Sequence, residues 1–70
     1  MKIYVVHTIL SGYFLGGYIG AFSSEQTAID YLTQRTNYTS KETHTFNGRR
    51  ITNIVVGDNE YSIAEDELQS

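Results

Sequence analysis

The 70-residue chain has no cysteine. Disulfides and thiolate metal centres are therefore excluded, and nothing argues for an oxidising compartment. No segment approaches the roughly 20 consecutive apolar residues of a membrane-spanning helix. Lys2 and the apolar residues after it have the outline of a signal peptide, but His7, Thr8, Ser11 and Gly12 interrupt it with a strand-like alternation. A cytoplasmic protein without a membrane partner is the expectation. Basic residues are scarce as well. Five Lys and Arg stand against eight Asp and Glu, a formal charge of −3, which argues against a nucleic-acid partner.

Chemical motifs are missing too. Gly12, Gly16, Gly17 and Gly20 lack the helix-opening Gly-Lys-Ser/Thr of a phosphate loop. Ser23-Ser24 has no elbow glycines and no neighbouring histidine. Asp58, Glu60, Glu65, Asp66 and Glu67 lack the spacing of a calcium loop. His7 and His44 lie on separate segments with no carboxylate at ligand spacing. No catalytic residue, metal ligand or cofactor is assigned, and an enzyme is not expected, because catalysis needs a positioned acid/base pair.

The chain is organised around Tyr18–Leu32. Tyr18 to Phe22 has the aromatic and apolar composition of a half-buried strand. Ser23 follows as a helix cap, with Gln26 three residues on to complete a capping box; Ser24 is the other candidate cap. Ala28, Ile29, Tyr31 and Leu32 fall on one arc at 3.6 residues per turn, which predicts an amphipathic helix of about three turns over 24–34. Glu25 suits its first turn and Arg35 its last. Such a helix needs a sheet to cover.

Lys2 to Ile9 is apolar on both alternations, which predicts an interior strand. Ser11-Gly12 turns the chain, so the first two strands pair antiparallel. Tyr13 to Gly17 either extends the second strand, with Gly16-Gly17 as a bulge, or forms a loop presenting Tyr13 and Phe14. Thr36 to Thr43 reads as polar and irregular. Thr43–Phe46, Asn47-Gly48 and Arg49–Thr52 form a hairpin signal of the type I′ kind. The strand from Ile51 to Val56, a turn at Gly57-Asp58-Asn59 and a strand from Glu60 to Ala64 follow, with Glu65 to Ser70 as an acidic end, frayed or one helical turn. The prediction is a single α+β domain over 1–70. An antiparallel sheet of four to five strands carries one helix on one face, in the order ββαββ or ββαβββ.

Seventy residues build only a marginal core, and association with further copies is one common remedy. The conspicuous excess is tyrosine, six with three Phe and no Trp. Tyrosine supplies large contact area with a polar tip, as interfaces favour. Tyr4, Tyr13, Phe14 and Tyr18 on one hairpin cannot all enter a small core. Together with His7 and the pair Arg49-Arg50 they form the expected partner surface; the competing readings are a hydrogen-bonded strand histidine and strand-edge arginines that discourage aggregation.

Three stretches also carry a resemblance. Tyr4-Val5-Val6-His7, then Ile19-Gly20-Ala21-Phe22-Ser23-Ser24-Glu25 with Ala28, then Tyr61-Ser62-Ile63 and Leu68 resemble a family of small uncharacterised bacterial and phage domains of unknown function. The resemblance spans about half of the chain and leaves 36–50 without a counterpart. It implies the fold and a phage or mobile-element setting, and brings no catalytic residues. The functional expectation is a non-enzymatic protein-binding module, such as a phage accessory protein that inhibits a host enzyme or defence complex. The alternative is an oligomer that binds or sequesters a nucleotide-type ligand between subunits, with Arg49, Arg50 and stacked tyrosines as contacts.

Overall fold

The computed structural model describes residues 1–10 and 14–67, with Phe14 and Leu15 described by backbone alone. The elements run β1 (Lys2–Leu10), β2 (Phe14–Phe22), α1 (Glu25–Leu32), β3 (Tyr38–Phe46), β4 (Arg49–Val56) and β5 (Asn59–Glu67). The strands form one five-stranded sheet in the order β2-β1-β5-β4-β3, antiparallel at every pairing. The fold is α+β. β1 is an interior strand, as its doubly apolar composition requires. After β2 the chain passes through α1 to the opposite edge, where β3 begins.

The turns follow local chemistry. Asn47 and Gly48 take φ of 52° and 78°, the two left-handed residues of a type I′ turn between β3 and β4. Between β4 and β5 the first turn residue, Gly57, has φ of 62°, the position where a type II′ turn places glycine.

Four expectations need correction. Residues 38–43 are strand, because β3 pairs with β4 from Tyr38 to Phe46, with one register shift between Tyr38 and Ser40. The acidic residues Glu65, Asp66 and Glu67 belong to β5, opposite Tyr4, Ile3 and Lys2. Their charge is offset there: Glu67 meets the N-terminal ammonium at 3.0 Å and Glu65 meets Lys2 at 3.5 Å. The helix ends at Leu32, where the backbone N–H and the hydroxyl of Thr33 donate to the Ile29 carbonyl at 2.9 and 2.7 Å, so Arg35 lies beyond the last turn. At its start the cap is Ser24, not Ser23: the Ser24 hydroxyl accepts from the Thr27 N–H at 3.1 Å, and Gln26 donates to Asp30 instead of closing a box. Of the alternatives for 13–17, the strand is realised from Phe14, with register shifts of the bulged kind against β1; Tyr13 lies outside the described residues. Ser24→Ala should therefore cost about 1 kcal/mol of stability and Ser23→Ala far less, measured by urea denaturation.

Pleat and pairing sort the sheet into two sides. Val6, Ile63, Thr52 and Ile54 lie on one, and Val6 is opposite Ile63, which is opposite Thr52. Ala28 and Ile29 of α1 are buried in one cluster with Val6, Ile54, Val56 and Ile63, and Tyr4, Phe22, Leu32 and Tyr61 pack around it. The helix start is tied to β4 by Glu25, whose carboxylate accepts from the Thr52 hydroxyl and from Arg50 at 3.3 Å. Thr52 in turn shares a hydrogen bond with Thr43 at 3.0 Å, which satisfies a fully buried hydroxyl.

One close approach fixes a glycine. A Cβ at Gly16 would lie 2.2 Å from the Thr8 hydroxyl and 2.9 Å from Leu10 Cγ, whereas at Gly17 it would meet nothing within 4 Å. Gly16→Ala should destabilise the fold by about 1–3 kcal/mol, and Gly17→Ala should change it by under about 1 kcal/mol. Equal midpoints in denaturant for the two variants would contradict this register of β1 and β2.

Candidate functional site

The second side of the sheet carries the candidate surface. Alternation along β1 puts Ile3, Val5, His7 and Ile9 there. Pairing then defines rows that run across the strands. One row is Ala21, Val5, Ala64, Ile51 and His44. The next is Tyr18, His7, Ser62, Asn53 and Glu42. A third joins Glu60, Val55 and Ser40. The polar row thus runs between Val5 and Ile51 on one side and Val55 on the other, on a face that also carries Glu60, Ser40, His44 and the Arg49–Asp66 pair.

Val5, Ile51, Val55, Ala64, Ile3 and Ile9 are each only half-buried. Ser62 is 6% exposed between its neighbours, while Tyr18 is 63% and Phe46 62% exposed at the two margins. The His7 ring meets Tyr18 edge-on, with centroids 5.7 Å apart and planes at 65°. This packing orients both rings, and no carboxylate approaches His7 to make an acid/base pair among the described hydrogen bonds and ion pairs. Arg49 and Asp66 pair at 3.5 Å at one end of the face. The whole chain exposes 4993 Å², above the about 4,400 Å² expected of a monomer of its mass.

The sequence-predicted surface residues divide between the two sides. His7 and Tyr18 meet on the open side, and Arg49 shares that side at its far end, paired with Asp66. Tyr4 is on the helix side, half-buried, and its hydroxyl donates to Glu65 at 3.4 Å. Arg50 is also on the helix side, paired with Glu25 at 3.3 Å. Both arginines sit on β4, an interior strand, so they are not edge charges. Phe14 is in β2, its side chain outside the described set with Tyr13. Ile51, Asn53, Val55 and Ser62 were not singled out by sequence. For the three on β4 the signal is the composition of that strand, Arg-Arg-Ile-Thr-Asn-Ile-Val-Val, with apolar residues on both alternations; Ser62 lies on β5 and carries no such signal.

A separate cleft of about 590 Å³ opens on the helix side. Tyr31, Leu32, Arg35, Val56, Asn59 and Tyr61 contribute to its walls. Arg35 has no ionic partner among the described residues, whereas Lys2, Arg49 and Arg50 each have one. Among the described residues no helix is long and apolar enough to cross a membrane, and no group of three His, Asp or Glu side chains converges. No protein-family model matches the chain, and no curated protein or solved structure matches it.

Proposed function

We propose that the chain is a non-enzymatic docking module that binds another protein through the open side of its sheet. The reading takes α1 as the cover of one side only. The observation that carries it is the set of half-buried aliphatic side chains, Val5, Ile51, Val55 and Ala64, flanking the polar row of His7, Ser62 and Asn53. An apolar patch crossed by a few polar groups suits a protein partner, since the apolar part supplies affinity and the polar part fixes register. The Tyr18 ring at the margin supplies contact area at small entropic cost. The resemblance of Tyr4–His7 and Ile19–Glu25 to phage and bacterial domains supports a host enzyme or defence complex as the partner.

Affinity capture from a host lysate tests the reading. The wild-type chain should retain a defined partner, Ile51→Lys should retain at least about tenfold less, and Gln26→Lys on the exposed helix surface should retain as much as wild type. Circular dichroism should show both variants folded. Equal capture by folded Ile51→Lys, or no specific partner for the wild type, would overturn it.

The cleft favours a second reading, an oligomeric binder of small anionic ligands. Tyr31 and Tyr61 offer ring faces and edges, and Arg35 offers a charge with no ionic partner among the described residues. Native mass spectrometry of the purified chain should then show a retained ligand that Arg35→Ala loses.

A further inference from the structure

The sheet has two edges, and they differ. β2 meets β1 through two register shifts, which interrupt an edge and blunt it. β3 is regular against β4 from Ser40 to Phe46, and all nine of its residues are exposed. Its outer side has no strand partner among the described residues. Such an edge is a template for another strand. We propose that a second copy of this chain occupies it, with β3 pairing antiparallel to its own copy about a two-fold axis at Thr43.

The register follows from pleat and charge. Residues directly opposite in an antiparallel pair point to the same side of the sheet. Lys41, Thr43 and Thr45 point to the helix side, and Glu42, His44 and Phe46 to the open side, as their partners on β4 show. The axis must therefore pass through a residue and not between two. At Lys41 it would oppose two ammonium groups, and at Glu42 two carboxylates. At His44 it would set Glu42 against Phe46. At Thr43 the Glu42 carboxylate of each copy faces the His44 imidazole of the other, twice over, and Lys41 faces Thr45. Opposite-charge and hydrogen-bonding cross-strand pairs stabilise, while directly opposed like charges destabilise. Lys41 and Glu42 thus guard the edge against the registers centred on either of them and permit this one. The axis stands perpendicular to the sheet, so the two open sides join into one continuous surface. The association rests on the β3 edge alone and does not require that surface to bind anything.

The absence of cysteine makes a direct test available. Opposite Cα atoms of an antiparallel pair lie about 4.5–5.5 Å apart, within the range a disulfide bridges. Thr43→Cys should form an intermolecular disulfide under mild oxidation far faster than Ser23→Cys, which lies beyond the end of β2. By sedimentation velocity the wild-type chain should be dimeric at about 100 µM, and His44→Glu should weaken the dimer at least about tenfold. Adding Glu42→Lys to His44→Glu should restore it, because the opposed pair is then complementary again; a merely unfolded edge would not be rescued. A wild-type monomer at that concentration, equal cross-linking of the two cysteine variants, or a folded His44→Glu variant that dimerises like wild type would each refute the proposal.

Discussion

Ile54→Ala is expected to bring the protein to the margin of unfolding at 37 °C. Ile54 is fully buried, next to Tyr61 on β5 and Lys41 on β3 in register, and it belongs to the buried cluster that also holds Ala28 and Ile29 of α1. Truncating such a side chain costs about 2–5 kcal/mol, because a cavity remains where the methylenes were. A domain of this size has about 4–10 kcal/mol in total. No disulfide reinforces it, so the loss has no reserve to draw on. Val55→Ala is the matched comparison. Val55 is one residue away but on the open side and only half-buried, so the same kind of truncation should cost under about 1 kcal/mol. Urea unfolding of the two variants side by side reads the difference as a shift in midpoint. Similar midpoints would mean that the two sides of β4 are packed alike.

Ala28→Asp should abolish the cooperative fold. Ala28 is fully buried at the contact between α1 and the strands, where nothing larger than a methyl group has been accommodated. An added carboxylate there would lack any cationic partner among the described residues, since the nearest ionic pair on the helix, Glu25–Arg50, is already closed. Burying an unpaired charge costs several kcal/mol, comparable to the whole stability of the domain. The measurement is the dispersion of the amide spectrum together with far-ultraviolet circular dichroism. Gln26→Ala, two residues away, removes only an exposed side-chain bond to Asp30 and should leave both unchanged. A folded Ala28→Asp protein would mean that α1 does not seal the core.

Local chemistry made much of the fold legible. The helix arc of Ala28 and Ile29, the Asn47-Gly48 turn and the antiparallel pairing of the first two strands each depend on residues close in sequence. β3 was not legible for the opposite reason. Between Tyr38 and Phe46 its residues are polar on both sides, and all nine are exposed; it is held by the ladder to β4 and the Thr43–Thr52 hydrogen bond, which leaves no apolar alternation to find. The acidic end of β5 was obscured in the same way: Glu65 and Glu67 make sense only beside Lys2 and the N-terminus, some sixty residues earlier. The candidate surface was half legible. His7 and Tyr18 stood out as residue types, but their alignment with Ser62, Asn53 and Glu42 is a property of strand order. Tyr4 and Arg50 belonged to the expected surface, yet pleat parity sets them on the helix side, with Glu65 and Glu25 as their partners.

On the reading that α1 seals one side of the sheet, the other side stays open to solvent. Methyl NMR of the dilute free protein with a soluble paramagnetic agent reads this directly. The methyl signals of Ile3, Val5, Ile51 and Val55 should broaden strongly, while those of Val6, Ile54 and Ile63 should stay sharp. Equal protection of the two sets, or broadening of the second set in place of the first, would contradict it.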